Sequence, residues 1–416
     1  MILAYFIAIG KLEVLAIPAG LLALYAALFH TKQTLLFIAA ITPLSLNLES
    51  ISGFGGIGFY LPTEPLLAVL LVLFFIWSLA KNALDAKLVK DSFTVLVIAH
   101  LLWIFITACS SSIPLVSFKF LISRLWFVVP LYLMAASYFQ KKEYLKRYFW
   151  GYIAVMCVVI CLTIIQHASF GFSEQAGHYV MSPYFKDHTS YGAMIAMFIP
   201  FIIGSLSKKN VSITHRVLMS VVMFIFTVGL IFSYTRAAWL SLVGALGVYI
   251  IMKLRIKFWI VFSVIATLTI GFFVLQDDIV RELERNRQDS SESFTEHIQS
   301  MTNISTDASN LERLNRWNCA VRMFKERPVM GWGPGTYMFQ YAPFQKSSEL
   351  TIISTNLGNA GNAHSEYLGP MAESGLMGGV LFVLILIFIL RRGIILYYKL
   401  EEPEMKMLTM SFTLGL

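Results

Sequence analysis

Long apolar blocks separated by short polar breaks run along most of this chain. They are too continuous for half-buried strands and too evenly apolar for the one-sided stripe of a soluble helix. Such blocks predict helical spans near 13–29, 33–46, 64–80, 93–109, 115–137, 148–168, 189–206, 213–233, 237–252, 256–275 and 366–390. A helix needs about 20 mostly apolar residues to cross a bilayer, and these stretches approach or meet that length. A last block begins near Met405 and is cut off at Leu416, so the chain reads as C-terminally incomplete. Residues 1–10 are apolar but too short to span, and they lack the basic n-region and cleavage site of a signal peptide.

One long interruption breaks the pattern. From Gln276 to Ser365 the chain is polar, and this segment holds nine of the 32 Lys and Arg residues. A loop of that size between spans is too large for a mere connector. The expected fold is therefore an all-α polytopic membrane protein of about 11–12 transmembrane helices, with one large, partly helical loop outside the bilayer between the last two or three spans. It divides into a helix bundle over 1–275, the loop with its amphipathic helices over 276–365, and C-terminal transmembrane helices over 366–416.

Composition agrees: 57% of residues are hydrophobic and 13% charged, with a mean hydropathy of +0.70, which excludes an ordinary soluble enzyme. A net charge of +8 raises the question of nucleic acid. Its placement answers it. Basic residues cluster at Lys32, Lys81/Lys87/Lys90, Lys141/Lys142/Lys146/Arg147, Lys208/Lys209/Arg216, Lys253/Arg255/Lys257 and Arg391/Arg392/Lys399/Lys406, on every second loop. That alternation is the positive-inside rule, which accounts for the charge without nucleic acid. The intervening loops 46–63, 109–114, 168–188, 233–236 and 276–365 then face outside, and parity puts the N-terminus there too unless residues 1–12 form part of an extra crossing.

Several patterns are set aside. Cys109, Cys157, Cys161 and Cys319 offer neither a disulfide framework nor metal spacing. The Gly53–Gly58 stretch matches GxGxxG formally, but it lies between spans, without the strand and the following acidic residue that a dinucleotide site needs. No metal pair or nucleotide loop is found elsewhere.

The candidate chemistry gathers on the outward loops. Lys186, Asp187 and His188 precede a span, where they form either a solvated helix cap or a polar rim for an anionic head group. Lys119 and Arg124 fall in or near the 115–137 span, where charge is costly and either faces a cavity or partner or snorkels to the outer interface. Five residues turn a helix by about 140°, so these two do not share a face. Ser233-Tyr-Thr-Arg236 is the whole link between two spans. A cap from Ser233 or Thr235 at the helix opening at Ala237, with the Arg236 guanidinium beside it, would make a compact anion site.

Within the polar segment, an amphipathic helix is expected near 277–288. A second opens on the capping box Ser309-Asn-Leu-Glu312 and ends before Pro328. On its wheel Leu314, Trp317, Val321 and Phe324 form an apolar stripe. Arg313 sits at its edge, Arg316 further round and Arg322 opposite, so Arg313 is preferred as the cation held against a buried face. Gly331-Trp-Gly-Pro-Gly335 reverses the chain. His364 then stands where the chain re-enters the membrane, with an ordinary pKa near 6.5 that suits a general base.

Tyr234-Thr-Arg236-Ala-Ala, Arg313-Leu-Asn-Arg-Trp317, Arg327-Pro-Val-Met-Gly331-Trp-Gly-Pro-Gly335 and Asn362-Ala-His364-Ser-Glu-Tyr-Leu368 through Glu373-Ser-Gly375 together resemble the O-antigen ligase and O-antigen polymerase superfamily, over about residues 180–390. The resemblance implies a glycosyltransferase of the bacterial inner membrane, multi-pass, working at the periplasmic face without metal, nucleotide or other cofactor. Its donor would be a glycan on undecaprenyl pyrophosphate, and its acceptor a glycan, a lipid core or a protein. By motif, Arg236 and Arg313 would hold the pyrophosphate and His364 would activate the acceptor hydroxyl. Lys186, His188, Arg124, Lys119, Arg316, Tyr234 and Glu366 are the candidates for further substrate contacts.

The motifs do not separate ligase from polymerase or from a protein O-oligosaccharyltransferase. A transporter is the alternative of a different class, but it predicts internal repeats and midplane charges, neither of which is evident. The polar segment reads finally as a lid over a lipid-facing cavity.

Overall fold

The computed structural model describes residues 16–47, 60–80, 86–208, 211–257, parts of 259–271, 308–351, 354 and 361–415. The Gly53–Gly58 stretch, the helix expected near 277–288 and part of the 256–275 span lie outside them.

The described chain is helical: α1 Ala16–Phe29, α2 Thr31–Ile41, α3 Thr63–Ala80, α4 Ser92–Cys109, α5 Pro114–Tyr138, α6 Lys142–Ala168, α7 His188–Leu206, α8 Ile213–Ile231, α9 Arg236–Leu254, α10 Ala308–Glu326, α11 Leu368–Lys399 and α12 Pro403–Leu414. A two-residue antiparallel ladder, β1 Leu46–Asn47 with β2 Tyr60–Leu61, is an exception to the all-α expectation.

Among the described residues eight helices, α3 to α9 and α11, are long and apolar enough to cross a membrane, fewer than the 11–12 expected. The protein is a multi-pass membrane protein. The expected spans at 13–29 and 256–275 fall partly outside the described residues. The helices described at the first two blocks, either side of His30, have 14 and 11 residues, about 21 and 17 Å. The block near Met405 is a helix of 12 residues. Large side chains such as Phe224 and Val243 stay exposed on the spans, as expected where lipid is the solvent.

The chain forms two compact units. The first comprises residues 1–91, 124–246 and 395–416. Its main core packs Tyr152, Met156 and Ile160 of α6 against Ile195 and Ile202 of α7 and Phe226 of α8. Pro130 removes a helical N–H inside α5, and the chain passes it in a wide π turn over Val129–Met134. Glu404 at the start of α12 is bridged by Lys146 and Lys208 at 2.7 and 2.8 Å, while Lys142 takes Glu402 at 2.6 Å.

The second unit, residues 92–123 and 247–394, carries the polar segment. Its organising feature is a break in α11 at Gly375, where φ is +68° and ψ −173°. The carbonyls freed there find outside donors. Trp332 N bonds Ala372 O at 3.1 Å, Gly333 N bonds Glu373 O at 2.8 Å, and the Trp103 indole bonds Ser374 O at 2.8 Å. Leu376 N returns a bond to Pro328 O at 2.8 Å.

The Gly-rich turn thus docks into the broken helix. On its other side, Ser112 N and Oγ bond Trp332 O at 2.9 and 2.7 Å, and Ser117 Oγ bonds Pro334 O at 2.9 Å. A Cβ on Gly375 would collide with the Val329 carbonyl, and positive φ adds backbone strain. Gly375→Ala is expected to destabilise this unit by about 2–4 kcal/mol. Thermal unfolding of the detergent-solubilised variant checks this, and a melting temperature equal to the parent's would refute the docking account.

Candidate active site

Arg236 is the first residue of α9, reached through a turn that two hydroxyls fasten. Thr235 Oγ1 lies 2.7 Å from His188 O and 3.1 Å from Ser233 O, and Ser233 Oγ donates to Leu230 O at 2.7 Å. The turn is tied to the start of α7 and the end of α8, one residue earlier than the expected helix start at Ala237. Tyr234 has φ +49°, and its hydroxyl donates to Phe172 O at 3.0 Å. Its ring closes over Gly177, where a Cβ would sit 2.5 Å from Cδ2. A Cβ on Gly192 would likewise sit 2.8 Å from Thr235. Two glycines therefore let the 172–192 stretch seat the turn that carries a half-buried Arg236.

His188 opens α7, and its ring stacks on His178 with centroids 4.3 Å apart. Asp187 takes the cap role expected of it, accepting from Ser190 N at 2.7 Å and Thr189 Oγ1 at 2.6 Å. Partial burial raises its pKa, but the hydrogen bonds from Thr189 and Ser190 outweigh that and hold it below the usual range. Lys186 is exposed beside it, and Lys119 and Arg124 are both exposed along α5.

In the second unit α10 brings Arg313, Arg316 and His364 together. The face it buries is not the apolar stripe of the wheel: Leu314, Trp317 and Val321 are 40%, 38% and 36% exposed. Glu312, Asn315, Arg316, Cys319, Ala320 and Met323 are inside instead. The polar members are accommodated by partners the wheel does not see. Glu312 accepts from Arg316 Nε at 2.6 Å, from Thr351 Oγ1 at 3.0 Å and from Ser354 Oγ. The helix opens at Ala308, one residue before the expected cap Ser309, and Glu312 is engaged by Arg316, Thr351 and Ser354.

Arg316, proposed from sequence as a substrate contact, is 4% exposed and lies over the Tyr341 ring at 4.2 Å. Arg322 is held by Glu349 at 2.7 Å and by Phe344 O at 2.6 Å. Arg313 is half-buried beside the exposed stripe.

His364 sits in the left-handed region at φ +49°. Its N–H donates to Asn362 Oδ1 at 3.0 Å and its carbonyl accepts from the Trp317 indole at 3.1 Å, while neighbouring Ala363 is buried. Ser365 Oγ then accepts from Leu368 N at 3.1 Å, capping α11 two residues later than the expected start. Glu366 is exposed.

The backbone around His364 is thus pinned on both sides while the residue itself stays open to solvent. Partial desolvation lowers the imidazole pKa below its ordinary 6.5, the positive charges of Arg313 and Arg316 lower it further, and Glu312 opposes them. The ring is therefore predominantly neutral at pH 7, with a nitrogen lone pair available to take a proton.

Sequence reasoning missed the roles of Trp317, Asn362 and Glu312. Glu312 and Arg316 stand at i and i+4, a spacing that signals an ion pair as readily as Glu312 signals a capping box. Among the described residues no group of three or more His, Cys, Asp or Glu side chains converges as a metal site would require.

An uncharacterized protein of Haemophilus influenzae is 22% identical to this chain over 270 residues, 64% of the chain and 63% of the relative's own length. Residues 221–383 match the family described as O-Antigen ligase, a range that takes in Arg236, all of α10, the Gly-rich turn, His364 and the break in α11. Over those residues the chain is similar to the O-antigen ligase family.

Proposed function

We propose that the protein transfers a glycan from undecaprenyl pyrophosphate to an acceptor hydroxyl at the periplasmic face of the bacterial inner membrane. His364 takes the hydroxyl proton as the oxygen attacks the anomeric carbon. The bond from that carbon to the pyrophosphate breaks, and undecaprenyl pyrophosphate leaves with the electron pair. Arg236 and Arg313 bind the pyrophosphate and stabilise the charge that builds on it. Lys186, His188, Lys119, Arg124, Tyr234 and Glu366 are available to contact the rest of the donor or the acceptor. Arg316 acts from within the protein rather than on the substrate.

The observation that carries this reading is the setting of His364: fixed backbone, open side chain, and two arginines beside it that keep the imidazole in its basic form. A sugar hydroxyl is a weak nucleophile, so a positioned neutral base lowers the barrier by general base catalysis.

Incubating the purified protein with a defined undecaprenyl-pyrophosphate-linked oligosaccharide and candidate acceptors tests it. Release of undecaprenyl pyrophosphate in step with a lengthened acceptor is expected, at a rate indifferent to added chelator. Solute movement across a proteoliposome membrane without that release would favour transport instead. Deleting the gene separates the two acceptor classes: single repeats on the core mark a lost polymerase, and bare core a lost ligase.

A further inference from the structure

The ion pair of Glu312 and Arg316 is closed at 2.6 Å with its side chains only 6% and 5% exposed. Burying two charges costs several kcal/mol of desolvation, and apolar replacements often serve stability as well or better. A buried pair in a small loop assembly therefore asks for another explanation.

Its surroundings supply one. One edge of the Arg316 guanidinium bonds Glu312, its face lies on Tyr341 at 4.2 Å, and its backbone carbonyl accepts from Tyr337 Oη at 2.7 Å. The remaining edge meets the backbone of Gly361, where a Cβ would lie 3.0 Å from Cζ and would collide with Nη1. Gly361 has φ +93°, and His364 follows three residues later.

We infer that the Glu312–Arg316 pair is a positioning device for His364: the guanidinium, locked by the carboxylate and the tyrosine ring, is the shelf on which the 361–365 turn is set. The inference rests on His364 being the base. The turn touches Arg316 through main chain, so an arginine of fixed plane suits the place better than a mobile lysine. Charge matters as well as shape. Arg313, Arg316 and Glu312 are the charged groups that act on the imidazole among the described residues, and Arg316 and Glu312 act in opposite directions.

The test uses the full chain in lipid nanodiscs and reads the pH dependence of His364 carbethoxylation by diethyl pyrocarbonate, using peptide mass spectrometry. Arg316→Met leaves Glu312 as the surviving partner and should move the inflection up by about 0.5–1 pH unit. Glu312→Gln leaves the arginine and should move it down by a similar amount. Two unmoved inflections, or two shifts of the same sign, would overturn the inference.

A double variant, Glu312→Gln with Arg316→Met, buries no unpaired charge and guards against misfolding. At a pH where the imidazole is neutral throughout, its kcat should fall about 10-fold or more while KM for the donor stays within about 2-fold. An unchanged kcat would also overturn it. Full activity in His364→Ala would instead remove the base assignment, whatever the inflections do.

Discussion

His364→Ala is expected to slow glycan transfer by about 10²–10⁴-fold, the usual span for removal of a general base, while the protein still inserts and folds. The imidazole projects from a turn whose backbone is held by Asn362 and Trp317, so truncating the ring leaves those bonds intact. The pH profile gives a second signature. The lowered pKa of His364 keeps the imidazole in its base form at pH 7, so parental activity should fall only as pH drops through a value below the ordinary imidazole range. The alanine variant should lose that acid limb along with the rate. A variant that retains the parental rate at every pH would exclude His364 as the base.

Arg236→Ala and Arg313→Ala should each reduce transfer by about 10²–10³-fold, the cost of removing a donor aimed at developing negative charge. Arg236 stands at the positive end of the α9 dipole, on a turn fixed by Thr235 and Tyr234, so the guanidinium and the helix terminus attract an anion together. Arg313 has no comparable helix terminus and depends on its own charge and hydrogen bonds. Arg→Lys at either position should recover only part of the activity, because an ammonium keeps the charge but loses the two-pronged contact to phosphate. Binding of undecaprenyl pyrophosphate itself, measured without an acceptor, should weaken in both alanine variants. Parental binding in either one would take that arginine out of the pyrophosphate site.

Hydropathy makes the membrane spans legible because lipid imposes one strong demand, a long apolar helix, wherever the chain crosses. The break between the first two blocks is legible in this way, and it falls at His30, between α1 and α2. The break in α11 is hidden. Glu373-Ser-Gly375 sits in a helical context, and its carbonyls find partners only in the Gly-rich turn and at Trp103, far away in sequence.

The helical wheel of α10 misleads because it ranks residues by their liking for oil. In a membrane protein an exposed apolar stripe is unremarkable, and a buried polar face is affordable where loop groups such as Thr351, Ser354 and Gln345 meet it. The roles proposed for His364, Arg236 and Arg313 came from motif resemblance. What no motif conveys is that Arg316, three residues from Arg313, is turned inward and ion-paired.

The bond from Trp103 to Ser374 joins residues 271 positions apart. A ribosome emitting this chain releases α4 long before the residues that complete its surroundings. The pocket for the Gly-rich turn is equally late, since its carbonyls lie on α11. The Gly-rich turn therefore acquires its frame only after the first part of α11 has been made. Order of synthesis thus delays closure of this unit until α11 has been made.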